Sequence, residues 1–287
     1  MGRIVVGFDE SEASAAALRW AIEAAELRGD ELQVIECWYE PVIQSTAWVD
    51  IYEDIERVRR ETEVAFAATV DEVDKQHPGV GVVHAFVADR PARALITASE
   101  GASMVVVGAR GRGGFASLLL GSVSRRVAGS ARCPVVVVGT MSAPGGEVLV
   151  GVDGSESGRR ALAWAAEEAQ RRHARLHALM AWSYLLPEGN EGPEPFQPDY
   201  TDADARLALS RIAEDVLGDH PDVELKLTST CSLAAKALVE EGANASLLVV
   251  GPKGTSMRHR VDLGSVTAQL LHHAPCPVAV VRTARDD

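Results

Sequence analysis

The chain has 287 residues, 47% hydrophobic and 24% charged, a composition that excludes default disorder and supplies either one large core or two ordinary ones. Its formal net charge of −13 argues against a general nucleic-acid binder, because phosphate contacts need clustered Lys and Arg. No apolar stretch reaches the roughly 18 residues of a membrane span, and four cysteines without a CxxC spacing and eight histidines without HExxH point to buried thiols, with neither a metal site nor a dithiol centre expected.

The N-terminal MGRIVVGFDES passes from a short apolar run straight to acids, unlike a secretory signal, so a cytoplasmic protein without membrane contact is expected. In the first half the apolar runs IVVGF, LQVIEC, VVHAFV, MVVVG and PVVVVG alternate with helical stretches such as ESEASAAALRWAIEAAELRG. Asp9 or Ser11 is positioned to cap that helix, and Gly29 to end it. Strands that are apolar almost throughout are buried on both faces, and their alternation with helices predicts a parallel α/β sheet wound in both directions.

After TMSAPGGE, a Pro/Gly-rich linker at Thr140 to Glu147, the pattern starts again. RIVVGFDESEASAAALRWA returns as EVLVGVDGSESGRRALAWA, placing Asp153 opposite Asp9 at an offset of 144 (153 − 9); farther on, MVVVGARG meets LLVVGPKG at an offset of 143 (251 − 108). One residue is lost between Trp38/Trp182 and His77/His220. The chain is a tandem duplication, with domains expected at 1–141 and 146–287. Within the second half, LLPEGNEGPEPFQPDY at Leu185 to Tyr200 reads as a long exposed loop before the helix of TDADARLALSRIAEDVLG.

Ligands of doubly wound sheets sit beyond the carboxyl ends of the strands, where both halves carry a glycine loop. Gly108 and Gly111 follow one strand, and Gly121-Ser122 opens the helix SVSRRVAGS; Gly251 and Gly254 recur, with Gly264-Ser265 opening SVTAQLLHH. Two residues separate the first pair of glycines and nine precede Gly-Ser in both halves. Unpaired amides at a helix start suit an anion, and the Ser122 and Ser124 hydroxyls offer further donors. GRGGFA fits a dinucleotide fingerprint only formally, since no acid follows at the expected distance and GTSMRH lacks the pattern. A Walker A loop is absent. Asp9 and Asp153, at the first strand ends, can accept from a ribose hydroxyl or join metal–phosphate coordination, or serve as N-caps. No nucleophile with an adjacent base and no catalytic carboxylate pair is recognisable.

GFDES, GVDGS and especially GARGRGGFASLLLGSVSRRV followed by CPVVVV closely resemble the universal stress protein family in its tandem two-domain form, over nearly all of both halves. The family signature Gly-x2-Gly-x9-Gly-[Ser/Thr] is met by Gly108, Gly111, Gly121, Ser122 and by Gly251, Gly254, Gly264, Ser265. The resemblance implies two Rossmann-like domains, each a five-stranded parallel sheet with helices on both faces, and ATP, with Mg2+, lying across the strand ends. It places Asp9 and Asp153 at the ribose and phosphates, the glycine loops with Arg110, Lys253, Ser124 and Thr267 around the phosphates, Cys37 and Ala181 near the adenine, and Val123 and Val266 in the lining. It also implies pairing of domains through the last strands, PVVVVG and PVAVVR.

Three departures stand out. Glu10 replaces Gly154 and adds negative charge near the phosphates; Pro252 replaces Ala109 and is expected to remove a donor from the second loop; Asp262 precedes Leu263 and Gly264, where Arg258, Arg260 or a metal would have to neutralise it. The resulting expectation is an ATP-binding stress-response or growth regulator, acting through nucleotide-dependent conformation or a protein partner, as a homodimer, with at most slow hydrolysis. A slow ATPase or nucleotidyl-transfer enzyme of the adenine nucleotide α hydrolase-like class is the alternative, and a ligand-free scaffold a third.

Overall fold

Runs of Val, Ile and Leu that are apolar on both faces need cover from both sides, and helices between successive strands provide it. The computed structural model describes residues 2–39, 48–112, 120–139, 145–183, 201–218, 222–254 and 263–282. The chain divides into two compact units, one built on the residues up to Val138 and the other on Gly139–Arg282. The expected loop at Leu185 to Tyr200, most of the linker, and Arg258, Arg260 and Asp262 lie outside the described residues.

The first unit runs β1 (Arg3–Phe8), α1 (Glu12–Arg28), β2 (Glu31–Cys37), α2 (Trp48–Gln76), β3 (Val82–Val87), α3 (Pro91–Ala98), β4 (Met104–Gly108), α4 (Ser122–Ser130) and β5 (Val135–Val138). Its strands lie in the order β3-β2-β1-β4-β5, and every pairing is parallel. Ile4, Val5, Val6, Val105, Val106 and Val135 are fully buried, each contributing roughly 1.5–3 kcal/mol of burial against an exposed side chain. Alternate residues of β1 show the two layers: a Cβ on Gly7 would meet Leu95 of α3, while the next residue, Phe8, stacks on Phe66 of α2. Winding reverses between β1 and β4, which opens a crevice at their carboxyl ends.

The second unit repeats this with β6 (Glu147–Gly151), α5 (Glu156–Arg171), β7 (Leu176–Trp182), α6 (Asp202–Leu217), β8 (Leu225–Cys231), α7 (Ala234–Glu241), β9 (Ala245–Val250), α8 (Ser265–His273) and β10 (Val278–Val280), in the order β8-β7-β6-β9-β10. Strand registers locate the lost residue. Leu32 in β2 pairs with Val82 in β3, and Leu176 in β7 with Leu225 in β8; the offset falls from 144 (176 − 32) to 143 (225 − 82) across the segment holding the 29-residue α2 and the 16-residue α6.

Ser11, and not Asp9, caps α1 by accepting from the Ser14 amide, and Gly29 ends it with φ 65° and an N–H to the Ala25 carbonyl. Ser155 caps α5 the same way, through Gly158. No helix among the described residues is long and apolar enough to cross a membrane.

Candidate functional site

Each crevice is a cleft at the carboxyl ends of its strands. The first, of about 550 Å³, is lined by Asp9, Cys37, Gly108, Arg110, Gly111, Gly121, Ser122, Val123 and Ser124. The second, of about 230 Å³, is lined by the equivalents Asp153, Ala181, Gly251, Lys253, Gly254, Gly264, Ser265, Val266 and Thr267. All eighteen residues singled out from sequence thus come together, nine in each cleft.

Close approach explains the glycines. A Cβ on Gly108 would lie 2.6 Å from the Ala13 carbonyl carbon, where the start of α1 passes over the strand end, and one on Gly111 would collide with Asp9 Oδ2. In the second unit Gly251 meets Ser157 at 2.8 Å and Gly254 meets Asp153 Oδ2 at 2.6 Å. The signature therefore records how tightly the loop folds over the Asp-bearing strand end.

Asp9 organises that fold. Its Oδ1 accepts from the Ser11 amide at 3.2 Å and hydroxyl at 2.6 Å, and Oδ2 accepts from the Arg112 amide at 3.0 Å. Burial opposes the charge of Asp9, but the hydrogen bonds from Ser11, the Arg112 amide and Ser14 outweigh it and hold the carboxyl below its ordinary range. With both oxygens so engaged, Asp9 is a brace for the glycine loop. Asp153 Oδ1 accepts equivalently from the Ser155 amide at 3.0 Å and hydroxyl at 2.5 Å.

The helices α4 and α8 begin at Gly121 and Gly264 with no side-chain cap, so their first-turn amides face the cleft end of the helix. Gly121 donates to the Ala109 carbonyl at 2.7 Å and Gly264 to the Pro252 carbonyl at 2.8 Å, pinning each helix start to its loop. Two expectations need correction here. The Ser124 hydroxyl, 2% exposed as a residue, donates to the Gly108 and Ala109 carbonyls at 3.0 and 2.9 Å, and Thr267 to the Gly251 carbonyl at 2.9 Å. These hydroxyls brace the strand end and have no hydrogen left for a ligand. Likewise the Ala109 amide donates to the Val138 carbonyl at 2.8 Å, so Pro252 forfeits a sheet bond and not a ligand donor.

Glu10 also differs from its expected role. It adopts φ 59°, where Gly154 has φ 81°, and its carboxylate forms an ion pair with Arg112, a cleft-lining cation that sequence reading passed over. Its charge is thereby partnered.

Cys37 is a poor nucleophile: burial first, then Asp89 and Glu36, push its thiol up to about 11. Cys133 and Cys276, both buried, are raised to about 12 by burial. Sequence reading also missed Glu36, which lines the first cleft and is raised to about 7 by burial and by the charge of Asp9. A single acid inside LQVIEC, whose one other polar side chain is Gln33, was the available signal.

At the opposite end of the second sheet, Glu147, His177 and Glu241 lie within 4.8 Å of one another. The Lys226 ammonium sits 3.7 and 3.8 Å from the two glutamates, and fully buried His177 is shared by Glu147 at 2.6 Å and Thr228 at 2.9 Å. The group is an ion-pair network with its cation built in.

The family model whose description is universal stress protein matches residues 1–139 and again 146–282. The chain belongs to the universal stress protein family. A universal stress protein of Mycobacterium tuberculosis is 33% identical over 293 residues, covering 97% of this chain and 96% of that protein. A universal stress protein of Mycolicibacterium smegmatis is 33% identical over 288 residues, with the same coverage. Among solved structures, a universal stress protein from Archaeoglobus fulgidus shares the fold with a TM-score of 0.71 at 22% identity, over 98% of each chain. The tandem, Rossmann-like organisation is therefore that of the family.

Proposed function

We propose that each cleft of this universal stress protein binds an adenine nucleotide, ATP as its magnesium complex, and that occupancy regulates the protein's conformation or its choice of protein partner in a stress response. The carrying observation is the doubled constellation: a glycine loop closed over an aspartate, beside a helix start whose N-cap is a glycine without a capping side chain. Amides and the helix dipole favour phosphate there, and Arg110 and Lys253 supply positive charge at the same rims.

In this reading Asp9 and Asp153 act mainly by shaping the loop, with the ribose against the same strand end. Cys37 and Ala181 border the base region, and Val123 and Val266 the helix side. No nucleophile with an adjacent base lines either cleft among the described residues, which supports a binding role with at most slow hydrolysis. A homodimer and a regulatory protein partner belong to the same proposal.

Calorimetric titration of the full chain with MgATP tests it. About two nucleotides per chain are expected, reduced to about one by either Gly111→Val or Gly254→Val. Folded protein that takes up none at millimolar nucleotide overturns the proposal, and turnover above roughly 1 per second replaces it with the enzyme reading.

A further inference from the structure

At one buried position the first cleft carries an ionisable side chain where the second unit has an apolar one. Glu36 pairs in register with Phe8 on β1 and Phe86 on β3, and Phe66 of α2 packs on both rings, at 6.2 and 6.4 Å between centroids. The carboxyl is thus walled by three aromatic rings. It is 3% exposed, lines the first cleft, and its Oε2 is buried without a hydrogen-bond partner among the described residues. A native protein rarely leaves such an atom unsatisfied unless something else completes it. At the equivalent register of the second unit, opposite Ser229 of β8, stands Met180, buried and apolar.

Among the described residues no cation pairs with Glu36: Arg110 lines the same cleft, yet the one charge that acts on the Glu36 carboxyl is that of Asp9. Just past β1, Asp9 is anionic and held so by its own donors; on β2, the neighbouring Cys37 thiol stays protonated; beyond β3 comes Asp89, whose charge reaches the Cys37 thiol. His84, two residues back from Phe86, meets Phe66 edge-on at 5.7 Å. On α2, Arg59 is committed to Glu56 and Glu63 at 3.2 and 3.3 Å, and at the cleft rim Arg112 is paired with Glu10. An anion arriving in this cleft would meet a second carboxylate beside Asp9, whereas a neutral carboxyl could donate its proton to an acceptor on the ligand.

We propose that Glu36 is a ligand-contacting residue peculiar to the first cleft, which holds its nucleotide with the Glu36 carboxyl protonated, so that binding there takes up a proton and binding in the second cleft does not. The proposal rests on the nucleotide reading above. Linkage then requires affinity in the first cleft to fall with rising pH, once the free carboxyl begins to ionise. The value of about 7 for the free protein puts that fall in the physiological range.

The test uses MgATP titrated into the full chain carrying Gly254→Val, which isolates the first cleft, at about pH 6 and about pH 8. Because the terminal phosphate of the nucleotide titrates near pH 6 as well, the measure is the comparison with Glu36→Gln in the same background. Affinity is expected to drop about tenfold more with Glu36 than with Gln, with a heat that varies with the ionisation enthalpy of the buffer. The Gly111→Val chain, retaining only the second cleft, should lack that excess. Glu36→Met, which copies Met180, provides a second neutral variant should Gln fail to fold. Equal pH dependence with and without Glu36, while the cleft binds, overturns this inference alone. No binding in either cleft at either pH overturns the nucleotide reading and this inference with it.

Discussion

In the folded protein Glu36 keeps its proton up to about pH 7, whereas an unfolded chain gives it up near the ordinary value of about 4.3. A group raised in this way contributes its stability fully below the unfolded value and loses it as pH rises through the folded one. Wild-type protein should therefore lose up to about 3 kcal/mol between about pH 4.5 and pH 7 from this group. Glu36→Gln should be the more stable form at pH 8 and about equal near pH 4.5, as read from urea unfolding at the two pH values. Glu10 supplies a second test. Its left-handed backbone costs a non-glycine residue about 1–2 kcal/mol, and its exposed pair with Arg112 returns at most about 1 kcal/mol. Glu10→Gly, copying Gly154, should raise Tm by roughly 2–4 °C in thermal melts. Neither effect could be read from the chain, because a glutamate in a strand and one in a turn look alike until the aromatic walls around one and the φ of the other are known.

Among the elements, the starts of α1 and α5 couple helix stability to the clefts. The Ser11 hydroxyl accepts from the Ser14 amide at 3.2 Å and donates to Asp9 at 2.6 Å; Ser155 accepts from Gly158 at 3.0 Å and donates to Asp153 at 2.5 Å. Removing either hydroxyl uncaps a helix, at about 1 kcal/mol, and frees the aspartate that shapes the glycine loop. Ser11→Ala should lower the denaturation midpoint accordingly and weaken MgATP several-fold in the first cleft only, with Ser155→Ala doing the same in the second. Strands, helices and the ends of α1 were largely legible, since apolar runs, capping residues and Gly29 are local signals, while the choice of cap between Asp9 and Ser11 was left to the structure. The braces were not. Ser124 and the Ala109 amide turned out to hold carbonyls of β4 and β5 and their loop, and no local pattern tells a hydroxyl bound to its own fold from one free for a ligand.

For the whole molecule, the consequence of duplication is a pair of sites that single substitutions should switch off one at a time. A side chain at Gly111 or Gly254 must displace the aspartate beneath it. Gly111→Val and Gly254→Val should each retain about one nucleotide per chain, and the double variant none, by extraction and mass spectrometry of the purified full-length protein, with circular dichroism confirming the fold. Loss of both sites from either single change would contradict two separately built clefts.

The sequence by itself determined the tandem repeat, the parallel α/β class, and the glycines, aspartates and serines of each cleft, because periodicity, repeated spacing and glycine are properties of the chain; the remaining cleft positions came from the family resemblance. Tertiary structure decided which of those positions brace the fold. Only the folded sheet sets Asp9 beneath Gly111, turns Ser124 toward the backbone, gives the Ala109 amide to Val138 and encloses Glu36 between Phe8 and Phe86. These are contacts between strands and helices far apart in the chain, and burial and hydrogen bonding depend on which groups meet in space, not on their order in sequence.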